Sequence, residues 1–245
     1  MVQFFGKDFS GGPFVLFSTQ HLIAIAVIIA VNLLIYAFRG RMSPRARSII
    51  RWGLAGLLIV DELAWHVWNI TTGQWSIQTT LPLHLCSVFV FLSAYMLAAR
   101  SYRVYEFAYL LGIAGASQAV LTPDLGIYAF PHFRYFQVFI SHGSIITAAL
   151  FMTFVEGYRP TAVSLRRVLV IANLYMAAVG VVNWLIGSNY LFIAHKPATA
   201  SLIDNLGPWP WYILGIEAVG VIAVLLLYLP FAVRDWRARP AAAAG

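Results

Sequence analysis

The side chains that could do chemistry in this sequence are a cysteine and several histidines within long apolar stretches. Cys86, the one cysteine among 245 residues, lies two residues after His84, at the head of an apolar run that reaches Ala99. Ionisable groups are costly in hydrocarbon, so their presence in such a segment indicates a functional site. A lone buried cysteine is also compatible with simple apolar packing, and the rest of the sequence has to decide between the two.

A cysteine near histidines is typical of nucleophilic catalysis through a thioester. The thiolate is the attacking species, so a thiol in apolar surroundings needs a nearby base. His84 is a poor choice, because two residues along a helix turn the side chain by about 200°. His142 is expected about as deep in its own helix as Cys86 is, and both helices enter from the same surface. We predict Cys86 as nucleophile and His142 as general base and acid, with His66 and His132 as alternatives.

The composition places these residues in a membrane. Hydrophobic residues make up 61% of the chain and charged residues only 10%, whereas a soluble domain carries about 25% charged residues. A membrane span needs about 20 apolar residues, and we predict seven, over 17–38, 49–70, 79–99, 105–122, 135–156, 166–187 and 211–233. The sequence thus predicts an all-α, polytopic membrane protein with a single seven-helix domain. The low-complexity tail 239–245 is expected to be disordered.

The basic residues set the expected orientation. Thirteen of them flank the spans on one side: Arg39, Arg41, Arg45, Arg47, Arg51, Arg100, Arg103, Arg159, Arg166, Arg167, Arg234, Arg237 and Arg239. Only Lys7, Arg134 and Lys196 lie on the other. The positive-inside rule predicts an external N-terminus and a cytoplasmic C-terminus. The net charge of +7 is therefore a topology signal, and no nucleic-acid partner is predicted.

With this orientation, most polar residues of the predicted spans fall in the outer half of the membrane. Glu62 and His66 are four residues apart on one helical face, so Glu62 could orient that imidazole or another across the bundle. Interhelical hydrogen bonds of about 0.6 kcal/mol each could account for some of these residues. Four histidines and two or three carboxyl groups at one level favour a single polar cavity that opens outward.

The side chains that we predict to line or support this cavity are His84, Glu62, His66, His21, Asp124, His132, Gln137, Asn183, Tyr190 and Trp209. Among them, Asn183, Tyr190 and His132 are candidate donors to an oxyanion or a lipid head group. The outer loop over 120–134 is rich in turn residues. The longer loop over 187–212 ends in aromatic residues that fit either interface anchors or a lid over the cavity.

A different class of function is also open. The histidines could ligate a metal or a haem, although no HExxH or CxxCH spacing is present. The same cavity could belong to a transporter that has no need of the thiol. A retinal-type receptor is disfavoured, because the two lysines, Lys7 and Lys196, lie outside the seventh predicted helix.

Several short motifs resemble the YwaF-type family of bacterial integral membrane proteins. They are Phe17-Ser18-Thr19-Gln20-His21-Leu22, Leu81-Pro82-Leu83-His84-Leu85-Cys86-Ser87, Thr122-Pro123-Asp124, Phe130-Pro131-His132, Ser141-His142-Gly143, Asn189-Tyr190, Lys196-Pro197 and Leu206-Gly207-Pro208-Trp209-Pro210-Trp211-Tyr212. As an ordered set they extend over most of the chain, from residue 17 to about 212.

That family is similar to a eukaryotic transmembrane acyltransferase, which remodels ether phospholipids with a cysteine and a histidine. The resemblance implies a lipid acyltransferase or transacylase in the bacterial cytoplasmic membrane, and the orientation predicted from the basic residues places its site on the outer side. It places the nucleophile on Cys86 and the histidine on His142, and it implies membrane phospholipids as substrates. With water as acceptor the same chemistry would make a lipase. We expect this chemistry to use no metal and no cofactor.

Overall fold

The computed structural model describes residues 4–197 and 202–238, and the regular structure within these ranges is helical throughout. The long helices are α1 (Thr19–Phe38), α2 (Pro44–Thr71), α3 (Leu85–Ala99), α4 (Tyr102–Leu121), α5 (Phe133–Phe154), α6 (Ala162–Ile186) and α7 (Trp211–Arg237). Two short 3-10 helices, Tyr190–Phe192 and Leu202–Leu206, lie between α6 and α7. The all-α prediction is confirmed. The tail 239–245 lies outside the described residues.

Five of these helices are long and apolar enough to cross a membrane, namely α1, α4, α5, α6 and α7. The protein is therefore a multi-pass membrane protein. The helix α2 has 28 residues but carries the adjacent carboxylates Asp61 and Glu62, both buried. The helix α3 has only 15 residues, which amounts to about 22 Å. These two helices correspond in sequence to the second and third predicted spans. That they cross the membrane stays a prediction.

The helix starts follow local capping chemistry. The Ser18 side chain accepts the His21 N–H at the start of α1, and Ser43 caps α2 just before Pro44. At the start of α6, Thr161 and Ser164 each accept the other's backbone N–H in a capping box. Such caps satisfy N–H groups that the first helical turn leaves without partners. They explain why α2 and α6 begin four or five residues before the apolar segments that predicted them.

The segment before α3 is not helical, although the predicted span began at residue 79. Pro82 has no N–H to donate to a helix, and two tyrosine hydroxyls hold the chain in another conformation. The Tyr190 hydroxyl accepts the Leu81 N–H at 2.8 Å and donates to a carbonyl oxygen four residues earlier in the chain. The Tyr175 hydroxyl donates to Leu83 O at 2.8 Å. Helix α3 consequently begins at Leu85, one residue before Cys86.

One end of the bundle gathers arginines and their partners. Arg51 of α2 donates to the last carbonyls of α3, Leu97 O and Ala98 O, which satisfies groups that a helix C-terminus leaves free. Arg167 and Ser164 of α6 both donate to the buried carboxylate of Glu106. Arg159 forms an ion pair with Asp235 of α7. These contacts lie at the end where α3 finishes and α6 starts, opposite to Cys86.

An N-terminal segment crosses the other end. Successive backbone carbonyls of Phe4, Phe5, Gly6 and Lys7 accept hydrogen bonds from the Phe133 N–H, the Trp68 indole, the His132 ring and the Tyr128 hydroxyl. The Phe9 ring is buried and lies 5.0 Å from the His132 ring. The segment thus ties the end of α2 to the start of α5.

The predicted orientation can be tested with topology reporters. A reporter fused after Gly245 should lie in the cytoplasm, and one fused before Met1 should lie outside, because the arginine-bearing end is retained by the positive-inside rule. Paired alkaline phosphatase and green fluorescent protein fusions measure this. Reversed signals would overturn both the orientation and the outward position of Cys86.

Candidate functional site

Cys86 occupies the first turn of α3, and that helix start is uncapped. His84 stands at the N-cap position, but its side chain makes no capping hydrogen bond. Within the described chain, the N–H groups of Leu85, Cys86 and Ser87 have no acceptor. The cysteine therefore sits beside free donors at the positive end of the helix dipole. Such a position can stabilise an oxyanion that forms next to the cysteine.

Glycines of α4 bring three helices together at this level. A Cβ added at Gly115 would lie 3.2 Å from Leu85 Cδ2 and 3.6 Å from Cys86 Sγ, so the glycine allows close approach of α4 to the first turn of α3. One turn deeper, a Cβ at Gly112 would lie 3.2 Å from Phe89 of α3 and 3.4 Å from Ile145 of α5. The segment Ala108–Gly112, whose last residue makes this contact, is a π-helical turn.

The helical period then places His142 in the layer of Cys86. Phe89 and Ile145 meet across Gly112, Cys86 lies three residues before Phe89, and His142 lies three residues before Ile145. Residues three apart share a helical face, and both helices begin at the same end of the bundle. The spacing thus indicates that His142 and Cys86 lie at a similar depth along α5 and α3. No hydrogen bond joins them within the described residues.

The tautomer of His142 is set by its own helix. Its Nδ1 lies 2.7 Å from Val138 O, and because a carbonyl oxygen only accepts, Nδ1 carries the proton. The other ring nitrogen, Nε2, therefore has a free lone pair in the neutral imidazole. No described residue donates to it. A base of this form can take a proton from a thiol.

A second histidine belongs to a chain of three side chains. The Trp75 indole N–H donates to His66 Nδ1 at 3.2 Å, which leaves the proton on Nε2. That nitrogen lies 3.7 Å from Glu62 Oε1. The Glu62 carboxylate is buried, and this oxygen has no hydrogen-bond partner among the described residues.

Asp61 and Arg134 form a further polar link between α2 and α5. Gln137 Nε2 donates to Asp61 Oδ2 at 3.1 Å, and Arg134 donates to Gln137 Oε1. The polar cluster, defined as Asp61, Glu62, His66, Cys86, Arg134, Gln137 and His142, thus lies at one end of the bundle.

Two of the predicted histidines are structural. His21 Nε2 donates to Val120 O at 2.8 Å, and its Nδ1 accepts the Phe17 N–H at 2.9 Å. His132 Nε2 donates to Gly6 O at 3.0 Å, and its Nδ1 accepts the Arg134 N–H at 3.1 Å. Each ring thus has both nitrogens occupied by the backbone, and neither is free for a metal, a haem or a proton transfer. The described residues hold no group of three or more histidine, cysteine, aspartate or glutamate side chains suited to a metal ion.

His84, Asn183 and Tyr190 support the loop that follows α6. The His84 ring packs 5.2 Å from Tyr190 and 5.1 Å from Phe192. The Asn183 amide donates to Tyr190 O at 2.9 Å and accepts the Tyr190 N–H at 2.8 Å. The Tyr190 hydroxyl is already committed to the segment before α3. These side chains position Cys86 through the backbone, and their polar atoms are occupied rather than free to bind an oxyanion.

The two remaining predicted residues are exposed. Asp124 lies in the loop between α4 and α5, where its charge interacts with that of Arg134. The Trp209 ring is 61% exposed, and its indole donates to Ile193 O at 3.2 Å. The structure thus places Asp124 on the loop between α4 and α5 and Trp209 on the loop before α7.

Sequence reasoning missed Asp61 and Arg134. Asp61 lies next to Glu62, and two adjacent carboxylates in an apolar helix strongly indicate a functional site. Arg134 was counted only as one of three basic residues on the outer side, whereas it lies in the first turn of α5. The three-residue spacing of Arg134 and Gln137 was the available clue, because it places both on one helical face.

The comparisons with known proteins agree with this membrane architecture. The model of the TMEM164 family matches residues 16–228, a range that runs from the approach to α1 to within α7 and includes the whole polar cluster. No curated protein and no solved structure gives a significant match. Since the matched range covers far more than half of the sequence, the chain belongs to the TMEM164 family.

Proposed function

We propose that this protein is a lipid acyltransferase in which Cys86 carries the acyl group and His142 moves the protons. The observation that supports it most is the position of Cys86 in the uncapped first turn of α3, in one layer with an imidazole whose Nε2 is free. The resemblance to YwaF-type proteins and their acyltransferase relatives points the same way. Membrane phospholipids are the proposed substrates, as acyl donor and, in lysolipid form, as acceptor.

The reaction proceeds in two halves. His142 Nε2 takes the thiol proton, and the Cys86 thiolate attacks the ester carbonyl carbon. The resulting oxyanion accepts hydrogen bonds from the free N–H groups of the α3 start. As the C–O bond breaks, the imidazolium protonates the leaving alcohol and a thioester remains. The acceptor hydroxyl then loses its proton to His142 and attacks the thioester, and Cys86 regains its thiol proton from the imidazolium.

The proposed setting is a seven-span protein in a bacterial cytoplasmic membrane. Helices α2 and α3 supply the second and third spans, and the Cys86 end faces outward. The separation of the arginine contacts from the polar cluster supports this orientation, since polar groups and basic loops occupy opposite ends. Substrates would then come from the outer leaflet.

A transport function remains the second candidate, favoured by one observation. The buried Glu62 oxygen without a hydrogen-bond partner is a typical feature of ion or proton pathways in membranes. A transporter has no need of the thiol, so the variants below separate the two functions.

Replacing the nucleophile tests the mechanism directly. Cys86→Ser should largely abolish acyl exchange between labelled lipids in proteoliposomes, because a hydroxyl is a far weaker nucleophile without a strong base. His142→Ala should lower exchange by about 10²- to 10⁴-fold. The double variant should be barely worse than either single one, as expected for residues that act as a unit. Full exchange by Cys86→Ser would end the thioester mechanism.

The other histidines provide the matched controls for this test. His84→Ala and His66→Ala should retain far more exchange than His142→Ala, because the His84 ring packs under the loop and the His66 Nδ1 is occupied by Trp75. Thermal stability in detergent, measured for each variant, separates loss of fold from loss of chemistry. Loss of exchange in His66→Ala, with His142→Ala active, would move the base to His66.

The close approach at Gly115 gives an independent prediction. Gly115→Leu should reduce exchange by at least about tenfold, because the new side chain fills the space beside Cys86 Sγ, where even a Cβ would lie 3.6 Å away. Overpacking of this kind also costs about 1–3 kcal/mol of stability. The matched control is Gly56→Leu in α2, where a Cβ meets nothing within 4 Å. Equal activity of the two variants would contradict the position of the reaction beside α4.

A further inference from the structure

Arg134 is held in place by groups that leave most of its hydrogen-bonding capacity unused. Its guanidinium carbon lies 5.6 Å from the ring centroid of Trp65 and 6.0 Å from that of Trp68, within the range of cation–π attraction. One of its nitrogens donates to Gln137, which Asp61 fixes from the other side. A guanidinium has five N–H donors, and the described chain gives the others no acceptor.

This arginine differs from the arginines at the opposite end of the bundle. Arg159 and Arg167 are paired directly with the carboxylates of Asp235 and Glu106. In residues 4–197 and 202–238, no carboxylate oxygen lies within 4.0 Å of an Arg134 nitrogen. Asp61 is linked to Arg134 only through Gln137, which donates to the Asp61 carboxylate and accepts from the guanidinium. The guanidinium is therefore oriented by its neighbours without being neutralised by direct contact.

The rings around Arg134 are themselves fixed. The Trp68 indole donates to Phe5 O at 2.8 Å, and its ring packs against Tyr128 and His132 at 5.5 and 5.9 Å. Because the tryptophans face the guanidinium, they are not free to enclose the quaternary ammonium of a choline head group. The unused N–H donors of the planar Arg134 guanidinium match the geometry of the oxygens of a phosphate.

We infer that Arg134 is the phosphate-binding residue of the site, and that its ligand is the phosphodiester of a glycerophospholipid rather than the free hydroxyl of a neutral acylglycerol. The inference rests on the proposed acyl transfer, which it refines by naming what selects the lipid. Arg134 is joined through Gln137 to Asp61, the residue next to Glu62 in α2, so a lipid phosphate bound there would place the lipid at the same end of the bundle as Cys86.

Activity with two donors that share their acyl chains tests this selection. The wild type should transfer acyl groups from phosphatidylglycerol more efficiently than from diacylglycerol. Arg134→Gln should lower kcat/KM for phosphatidylglycerol by about 10- to 100-fold, mainly through KM, the usual effect of losing a hydrogen bond to a charged group. Transfer from diacylglycerol should fall much less than transfer from phosphatidylglycerol. Arg134→Lys should recover only part of the loss, since lysine keeps the charge but not the fork.

The matched control is Arg39→Gln, which removes another arginine held against an aromatic ring, at 3.8 Å from the Tyr36 centroid, far from the polar cluster. It should leave the lipid preference as in the wild type. An equal loss on both donors in Arg134→Gln would show a structural role and overturn the inference, and so would an unaltered preference.

A binding measurement separates this inference from the proposed function. In the Cys86→Ser background, dihexanoyl-phosphatidylglycerol should raise the melting temperature, and the additional change Arg134→Gln should remove most of that rise. Dihexanoylglycerol should affect both proteins alike. If Cys86→Ser still exchanged acyl groups, the thioester mechanism would fail while the binding result still decided on Arg134. A rise that survives Arg134→Gln would overturn the phosphate site itself.

Discussion

The structure around Cys86 depends on one constraint, which is that backbone groups removed from water must find partners. The chain between α2 and α3 turns without forming a helix, and its amide and carbonyl groups would be costly to bury alone. Tyr175 and Tyr190 meet this demand with their hydroxyls, and Asn183 holds Tyr190 by its backbone. Because side chains of α6 and of the loop after it form hydrogen bonds with the backbone of this turn, α3 can begin as late as Leu85. The first N–H groups of α3 then have no hydrogen-bond acceptor within the described chain.

The histidines show how the same residue type serves different ends. His21 and His132 use both ring nitrogens to form hydrogen bonds with the backbone, and in each case one of these bonds joins segments that are distant in the sequence. His142 donates from Nδ1 to a carbonyl of its own helix, and its Nε2 has no hydrogen-bond partner among the described residues. The number of free nitrogens, rather than burial or depth, distinguishes a histidine that can move protons from one that holds the fold.

Much of the fold was predictable from the sequence, and the reasons for the gaps are physical. Apolar length identified the membrane character and the five confirmed candidate spans, because it reports transfer into hydrocarbon directly. It could not show that the third segment is helical only from Leu85, since the tyrosines that stabilise the preceding turn are about 90 to 110 residues away. Depth along each helix brought out Cys86, His142 and Glu62. It did not bring out Arg134 or the N-terminal segment, whose contacts are long-range and leave no periodic pattern.

The length of α3 has a consequence for the surrounding lipid. A helix of 15 residues spans about 22 Å, against about 30 Å for the hydrocarbon core of a bilayer. A short hydrophobic segment is accommodated by local thinning of the bilayer or by flanking polar structure. If α3 crosses the bilayer as proposed, the flanking structure is the tyrosine-bound turn before Leu85, and the deficit of about 8 Å falls at the end where Cys86 lies. Head groups drawn down at this edge would then meet the thiol without any lipid having to leave the membrane.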